Sequence, residues 1–232
     1  MRNLLLMSSS RATNPDYLAH GLPWLSEHFA GKSVLFIPYA GVTTSADQYT
    51  AMVAEPFSKI NLKVTGIHEY QDLRQAMQEA EAVAVGGGNT YMLLHKLYET
   101  GCLDILKRRI KEGMPYAGWS AGSNIAGPSI RTTNDMPIVQ PRSFAAINAV
   151  PFQLNPHFTD AMPEGHRGET RSQRIAEFMQ VDNHTPVIGI MEGTALKVQG
   201  QKMTLLGDRD GVVFADQQRR ILKAGSNCSH WL

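Results

Sequence analysis

Gly118-Trp119-Ser120-Ala121-Gly122 closes a short apolar run, Pro115 to Ala117. A serine set between two glycines at this spacing reads as a nucleophile elbow. In that sharp strand-to-helix turn the serine hydroxyl is exposed and the next backbone N–H is free to stabilise an oxyanion. A turn this tight needs backbone without Cβ atoms, both for its own dihedrals and for the close approach of strand and helix. Five residues with three fixed positions also recur in ordinary glycine-rich turns, so context decides, and here a strand precedes the pentapeptide and a helix follows.

Outward from the elbow, short apolar runs alternate with amphipathic stretches. Strands are predicted at Leu4 to Met7, Val34 to Ile37, Val64 to Ile67 and Ala82 to Val85. Helices are predicted at Pro15 to Phe29, Ala46 to Ser58, Leu73 to Ala80, Thr90 to Glu99 and Leu103 to Lys111. Such alternation implies parallel βαβ units whose sheet is covered by helices on both faces. The C-terminal third differs, with short strands at Leu154, Val187 to Ile190, Leu196 to Val198, Met203 to Leu206, Val212 to Phe214 and Arg220 to Leu222. The expectation is an α/β fold, a mostly parallel sheet with an antiparallel C-terminal extension, in one domain spanning 1–232. Sites in open α/β sheets gather beyond the carboxyl ends of the strands, where Ser120 and the glycines at 86–88 both fall.

Bulk properties narrow the classes. With 22 basic and 21 acidic residues the net charge is +1, and no basic block suggests nucleic acid. Cys102 and Cys228 lie far apart, which argues against a disulfide framework or a zinc ribbon. The opening Leu4-Leu5-Leu6-Met7 is too short for a secretory signal, and no stretch approaches the roughly 18 apolar residues of a membrane span. A soluble cytoplasmic protein, with no membrane partner, is expected.

A serine hydroxyl is a weak nucleophile until a base takes its proton. Of eight histidines, His157 in Leu154-Asn155-Pro156-His157-Phe158 stands out, because it ends an apolar segment where the proline stops regular structure. The base needs an acceptor for its other ring nitrogen, usually a carboxylate. Asp135, in a polar stretch soon after Ser120, and Glu192, beyond the strand ending at Ile190, both qualify, and the choice stays open at this level. Gly86-Gly87-Gly88-Asn89 ends the fourth strand. It lacks the phosphate-loop patterns, since Tyr91 occupies the third glycine position of Gly-x-Gly-x-x-Gly. A simple turn or an oxyanion role remains, the Gly88 N–H joining that of Ala121. No metal motif is present, so no cofactor is expected.

These blocks together resemble the peptidase E family of bacterial serine hydrolases, the aspartyl dipeptidases. The likeness runs through Phe36-Ile37-Pro38-Tyr39-Ala40-Gly41-Val42-Thr43, Val85-Gly86-Gly87-Gly88-Asn89-Thr90, the elbow and Ile130-Arg131-Thr132-Thr133-Asn134-Asp135-Met136-Pro137. It continues through Asn155-Pro156-His157-Phe158-Thr159 and Pro163-Glu164-Gly165-His166-Arg167-Gly168-Glu169-Thr170-Arg171. The resemblance implies metal-independent hydrolysis of dipeptides with an N-terminal aspartate, Ser120 as nucleophile and His157 as base. It also implies a fold related to class I glutamine amidotransferases. Those enzymes place the acid two residues after the histidine, where this chain has Thr159, so Asp135 and Glu192 both remain candidates.

Reading a side-chain carboxylate calls for a cation, best a bidentate guanidinium. Arg171 is the first choice and Arg131 the second, with Glu164 to Glu169 as a prospective lid. Asn89, Thr132, Thr133 and Asn134 are polar groups that would bind the substrate's termini. The expected partner is a small Asp-Xaa peptide, and the expected state is a monomer or small homo-oligomer. Two alternatives are a hydrolase of isoaspartyl or cyanophycin-type aspartyl bonds, and a non-enzymatic α/β module in which Trp119 and Tyr91 stack on a ligand.

Overall fold

The computed structural model describes residues 1–162, 164–165 and 167–232. Five parallel strands make up most of the larger sheet: β1 (Asn3–Met7), β2 (Val34–Ile37), β3 (Val64–Gly66), β4 (Ala82–Val85) and β5 (Tyr116–Trp119). Every residue of β2, β4 and β5 is buried. Unbroken apolar runs of this kind mark strands covered on both faces. Two later strands complete the seven-stranded order β3-β2-β4-β5-β1-β8-β9: β8 (Ala195–Gln199) pairs antiparallel with β1, and β9 (Lys202–Leu206) pairs antiparallel with β8.

The helices are α1 (Leu22–Phe29), α2 (Ala46–Ser58), α3 (Leu73–Glu79), α4 (Thr90–Glu99), α5 (Cys102–Lys111), α6 (Ala121–Asn124) and α7 (Arg171–Val181). Alternation along β1 sorts them. Leu4 and Leu6 fall in one buried cluster with residues of α3, α4 and α5, whereas Leu5 and Met7 fall in another with residues of α1 and α2. The amino ends are set by polar caps that satisfy orphan backbone donors. Ser45 and Gln48 form a capping box on α2, Asp72 caps α3, and Thr170 and Gln173 box α7.

The C-terminal strands are mostly antiparallel, as expected, but they divide between the larger sheet and a second one. β6 (Gln153–Asn155), β7 (Val187–Gly189), β10 (Gly211–Ala215) and β11 (Gln218–Leu222) build a second sheet, ordered β11-β10-β7-β6. Within it β6 and β7 are parallel. The reason is α7, which lies between them in the chain and supplies the crossover that parallel neighbours require. A buried apolar cluster from Leu4 to Leu222 and Cys228 runs continuously between the two sheets.

The helix read from Pro15 begins instead at Leu22, after one 3-10 turn at Ala19–Gly21. Leu18 takes a left-handed φ of 59°, which ends any preceding helical path, and Pro23 then favours the first turn of α1. Among the described residues, no helix is long and apolar enough to cross a membrane.

Candidate active site

At the carboxyl end of β5 the chain turns into α6 through Ser120, whose φ of 53° and ψ of −113° lie outside the regions that L-residues favour. The surrounding backbone over-determines this strained conformation. The Ser120 N–H donates to the Met7 carbonyl at 3.2 Å, and its own carbonyl accepts from Ser123 and Asn124 at 3.0 and 2.9 Å. The Ser123 hydroxyl lies 2.7 and 2.8 Å from the carbonyls of Met7 and Gly118. Both flanking glycines are required sterically. A Cβ on Gly118 would lie 2.4 Å from the Gly122 carbonyl carbon, and one on Gly122 would lie 2.2 Å from the Val85 oxygen.

His157 follows β6, also with a left-handed φ, 54°. Its N–H donates to Ser8 Oγ at 2.8 Å, and Ser8 Oγ donates in turn to the Ile190 carbonyl at 2.8 Å. The end of β1 therefore ties the histidine loop to the loop after β7. The His157 ring lies with Nε2 3.0 Å from Ser120 Oγ and Nδ1 2.8 Å from Glu192 Oε1. With the proton on Nδ1 donated to Glu192, Nε2 is left to accept from the serine hydroxyl. Of the two acids that the sequence left open, the structure brings Glu192 to His157. Asp135 sits elsewhere, its Oδ2 accepting from the Thr90 N–H at 2.7 Å and the Thr133 hydroxyl at 3.1 Å. That position is the amino terminus of α4, where a carboxylate complements the helix dipole.

Ser120 and His157 border two cavities. One, of about 640 Å³, is lined also by Tyr17, Val42, Tyr49, Gly87, Gly88 and Met136. The other, of about 240 Å³, is lined by Ala121, Asn124, Thr133, Asn134, Asp135 and Arg171 among others. Gly88 has a φ of +130°, and a Cβ there would lie 2.2 Å from the Ala40 carbonyl oxygen. Among the described residues, the N–H groups of Gly88 and Ala121 have no hydrogen-bond partner within the chain.

Arg171, the first residue of α7, is half-buried and donates from Nη1 to the Pro156 carbonyl at 3.1 Å. Burial lowers its pKa, as does the neighbouring Arg174, while Glu192 and Asp135 act in the opposite sense. Arg131, the second choice, is engaged elsewhere, paired with Asp182 and stacked 4.9 Å from the Phe178 ring centroid.

Some substrate contacts expected from the sequence are committed to the scaffold. Asn89 caps α4 by accepting from Met92 N at 3.0 Å, and its amide donates to the Met136 carbonyl at 2.9 Å. Thr132 is buried and its hydroxyl donates to the Leu154 carbonyl at 2.9 Å, so it braces the loop and its neighbour Thr133 lines the cavity. Asn134 borders the small cavity while accepting from Asn155 at 3.2 Å. Trp119 is fully buried and stacked on Phe36 at 5.9 Å between centroids, which makes it a core residue. Tyr91 packs against Phe144. The prospective lid, Glu164 to Glu169, includes His166, which with Pro163 lies outside the described residues. Ser8 and Tyr49 were missed. Ser8, just past the carboxyl end of β1, was findable by the same strand logic that located Glu192, whereas no local signal marks Tyr49.

An elbow serine hydrogen-bonded to a histidine that is itself bonded to a carboxylate, at the carboxyl ends of an α/β sheet, has the layout of a hydrolase. Residues 4–206 match the model of peptidase family S51. The chain belongs to that family and is a peptidase. It is 49% identical to a peptidase E of Shewanella sp. (strain ANA-3), over 99% of this chain and 98% of the relative. It is 50% identical to the peptidase E of Shewanella amazonensis, over 98% of each. The crystal structure of a putative peptidase E from Listeria monocytogenes EGD-e superposes with a TM-score of 0.68 at 26% identity, covering 89% of this chain and 98% of that one. A peptidase from an acI-B1 actinobacterium shares the fold, with a TM-score of 0.70 at 19% identity over 97% and 95% of the two chains.

Proposed function

We propose that this peptidase is a serine-type dipeptidase that cleaves Asp-Xaa dipeptides through an aspartyl-enzyme intermediate, without a metal ion. The observation that carries the reading is the hydrogen-bonded series Glu192–His157–Ser120 beside a small cavity walled by Arg171. Ser120 Oγ attacks the carbonyl carbon of the N-terminal aspartyl residue while His157 Nε2 takes its proton. Glu192 holds the Nδ1 proton and stabilises the imidazolium that forms. The Gly88 and Ala121 N–H groups receive the tetrahedral oxyanion. His157 then protonates the leaving amine, and water hydrolyses the aspartyl ester by the same route.

The cavity of about 240 Å³ has room for one residue of modest size. Its half-buried guanidinium, Arg171, pairs with the side-chain carboxylate of the substrate. Asn is nearly isosteric with Asp but lacks the charge, so the pair separates charge reading from fit.

The test is leucine release from Asp-Leu, Asn-Leu, isoAsp-Leu and Leu-Leu with EDTA present, by wild type, Ser120→Ala and Arg171→Met. The expected result is cleavage of Asp-Leu alone, abolished by Ser120→Ala, with the Asp-over-Asn preference collapsing in Arg171→Met. A preference untouched by Arg171→Met removes Arg171 from recognition. Cleavage surviving Ser120→Ala removes the mechanism. An enzyme that uses His157 as base also loses kcat/KM toward acid pH, when Nε2 carries a proton and cannot accept one.

A further inference from the structure

Tyr49 lies on α2, away from the elbow in sequence, and is almost fully buried. Its ring meets Phe36 edge-on at 5.0 Å between centroids, and its hydroxyl donates to the Gly87 carbonyl at 2.9 Å. That carbonyl belongs to the same trans peptide as the Gly88 N–H. In a trans peptide the C=O and N–H point to opposite sides. Fixing the Gly87 oxygen toward Tyr49 therefore turns the Gly88 N–H away from Tyr49.

The loop needs such a restraint. Three successive glycines carry little intrinsic conformational preference, and Gly88 takes a φ of +130° open only to glycine. Rotation of this one peptide would exchange the N–H for a carbonyl oxygen, which repels an oxyanion. The loop is held on either side: the Gly86 N–H, two peptides back, donates to the Ile37 carbonyl at 3.2 Å, and the Asn89 N–H, in the next peptide, to that of Ala40 at 2.8 Å. Neither bond fixes the Gly87–Gly88 plane. The Tyr49 hydroxyl does.

The restraint reaches back to the elbow. Trp119 Nε1 donates to Tyr17 Oη at 3.1 Å, and Tyr17 Oη lies 3.4 Å from Tyr49 Oη as donor. Each hydroxyl accepts one bond and donates the next, so the series ends with the Tyr49 proton directed at Gly87. Burial raises the Tyr49 pKa, which keeps that proton in place.

We infer that Tyr49 is a positioning residue that locks the Gly87–Gly88 peptide so that the Gly88 N–H is presented to the developing oxyanion. The inference rests on the mechanism proposed above. A donor held this way stabilises the transition state and not the bound ground state, so its loss acts on kcat. Tyr49→Phe removes one oxygen and keeps the ring packing, which preserves the fold. Its kcat on Asp-Leu is expected to fall about 10- to 100-fold, short of the 10²–10³ that deletion of an oxyanion donor costs, with KM within about twofold. Tyr17→Phe, which spares the bond to Gly87, is expected to lower kcat less. An aspartate-derived boronic acid, whose serine adduct is tetrahedral, is expected to bind Tyr49→Phe more weakly by a factor similar to the loss in kcat, while free aspartate binds as to wild type. Equal weakening of both inhibitors, a KM effect alone, or unchanged kcat would overturn the assignment. Ser120→Ala run alongside keeps the outcomes separable: residual hydrolysis by it sinks the serine mechanism, whereas its inactivity with a fully active Tyr49→Phe sinks only the role of Tyr49.

Discussion

At the scale of single residues, the geometry separates two carboxylates that look equivalent in sequence. Glu192 touches the His157 ring, and Asp135 touches the first N–H of α4. A fluorophosphonate that reacts with Ser120 needs the activated nucleophile but no dipeptide-binding contacts. Glu192→Gln is therefore expected to slow labelling by at least about tenfold. The loss should stay below the ~10⁴ known for a buried triad acid, because Glu192 is 55% exposed and water can stand in for part of its charge. Asp135→Asn is expected to label at close to the wild-type rate, since asparagine still offers an oxygen to the Thr90 N–H. Labelling rates in the reverse order would transfer the orienting role to Asp135.

At the scale of elements, the elbow works because β5, α6 and the neighbouring β4 approach more closely than side chains allow. Gly122 packs its α-carbon against the Val85 carbonyl of β4, and an added methyl would lie 2.2 Å from that oxygen and 2.9 Å from its carbon. Neither obstacle is a flexible side chain, so β4 and α6 must separate. Gly122→Ala is expected to cost about 1–3 kcal/mol, as overpacking does, which lowers Tm by roughly 2–12 °C for a chain of this size. Hydrolysis should fall further than the melting temperature implies, because the same shift displaces Ser120 from His157. A thermal melt with parallel kinetics checks it; a variant with wild-type Tm would show that the strand pair yields more easily than its backbone contacts imply.

At the scale of the whole molecule, stability carries a buried titrating group far from the chemistry. His28 on α1 is buried against the sheet with Nε2 3.1 Å from the Tyr116 carbonyl of β5, and burial lowers its pKa to about 4. In the unfolded chain a histidine titrates near ~6.5. Between those pH values the unfolded state binds a proton that the folded state refuses, so stability is fully present above ~6.5 and is lost as pH falls toward 4. The loss from this residue approaches about 3 kcal/mol at the acid end. Urea titrations at pH 7 and pH 4.5 should show a smaller acid-side drop for His28→Gln, which keeps a donor for Tyr116 but cannot ionise. Parallel drops in both proteins would place the acid sensitivity elsewhere.

The parallel strands, the elbow and the histidine at the end of β6 were legible because local chemistry encodes them. A four-residue run such as Val34-Leu35-Phe36-Ile37, rich in β-branched and aromatic residues and alternating with amphipathic stretches, reads as a buried strand, and at this elbow the glycines flanking the serine mark a turn with no space for Cβ. What depended on distant parts of the chain was not legible. The strands after α7 divide between two sheets according to crossovers and edge pairing, which leave no trace in a five-residue run. Glu192 reaches His157 only because β6 and β7 are parallel neighbours, which sets the loops after both strands at the same end of the sheet. Tyr49 reads as a core aromatic of an amphipathic helix until the fold lays its hydroxyl against Gly87. Sequence alone determined which residues could react and the turn that exposes one of them. Tertiary structure decided which carboxylate faces His157 and, among the described residues, which backbone N–H is left without a partner, because both are matters of distance between segments that the chain separates.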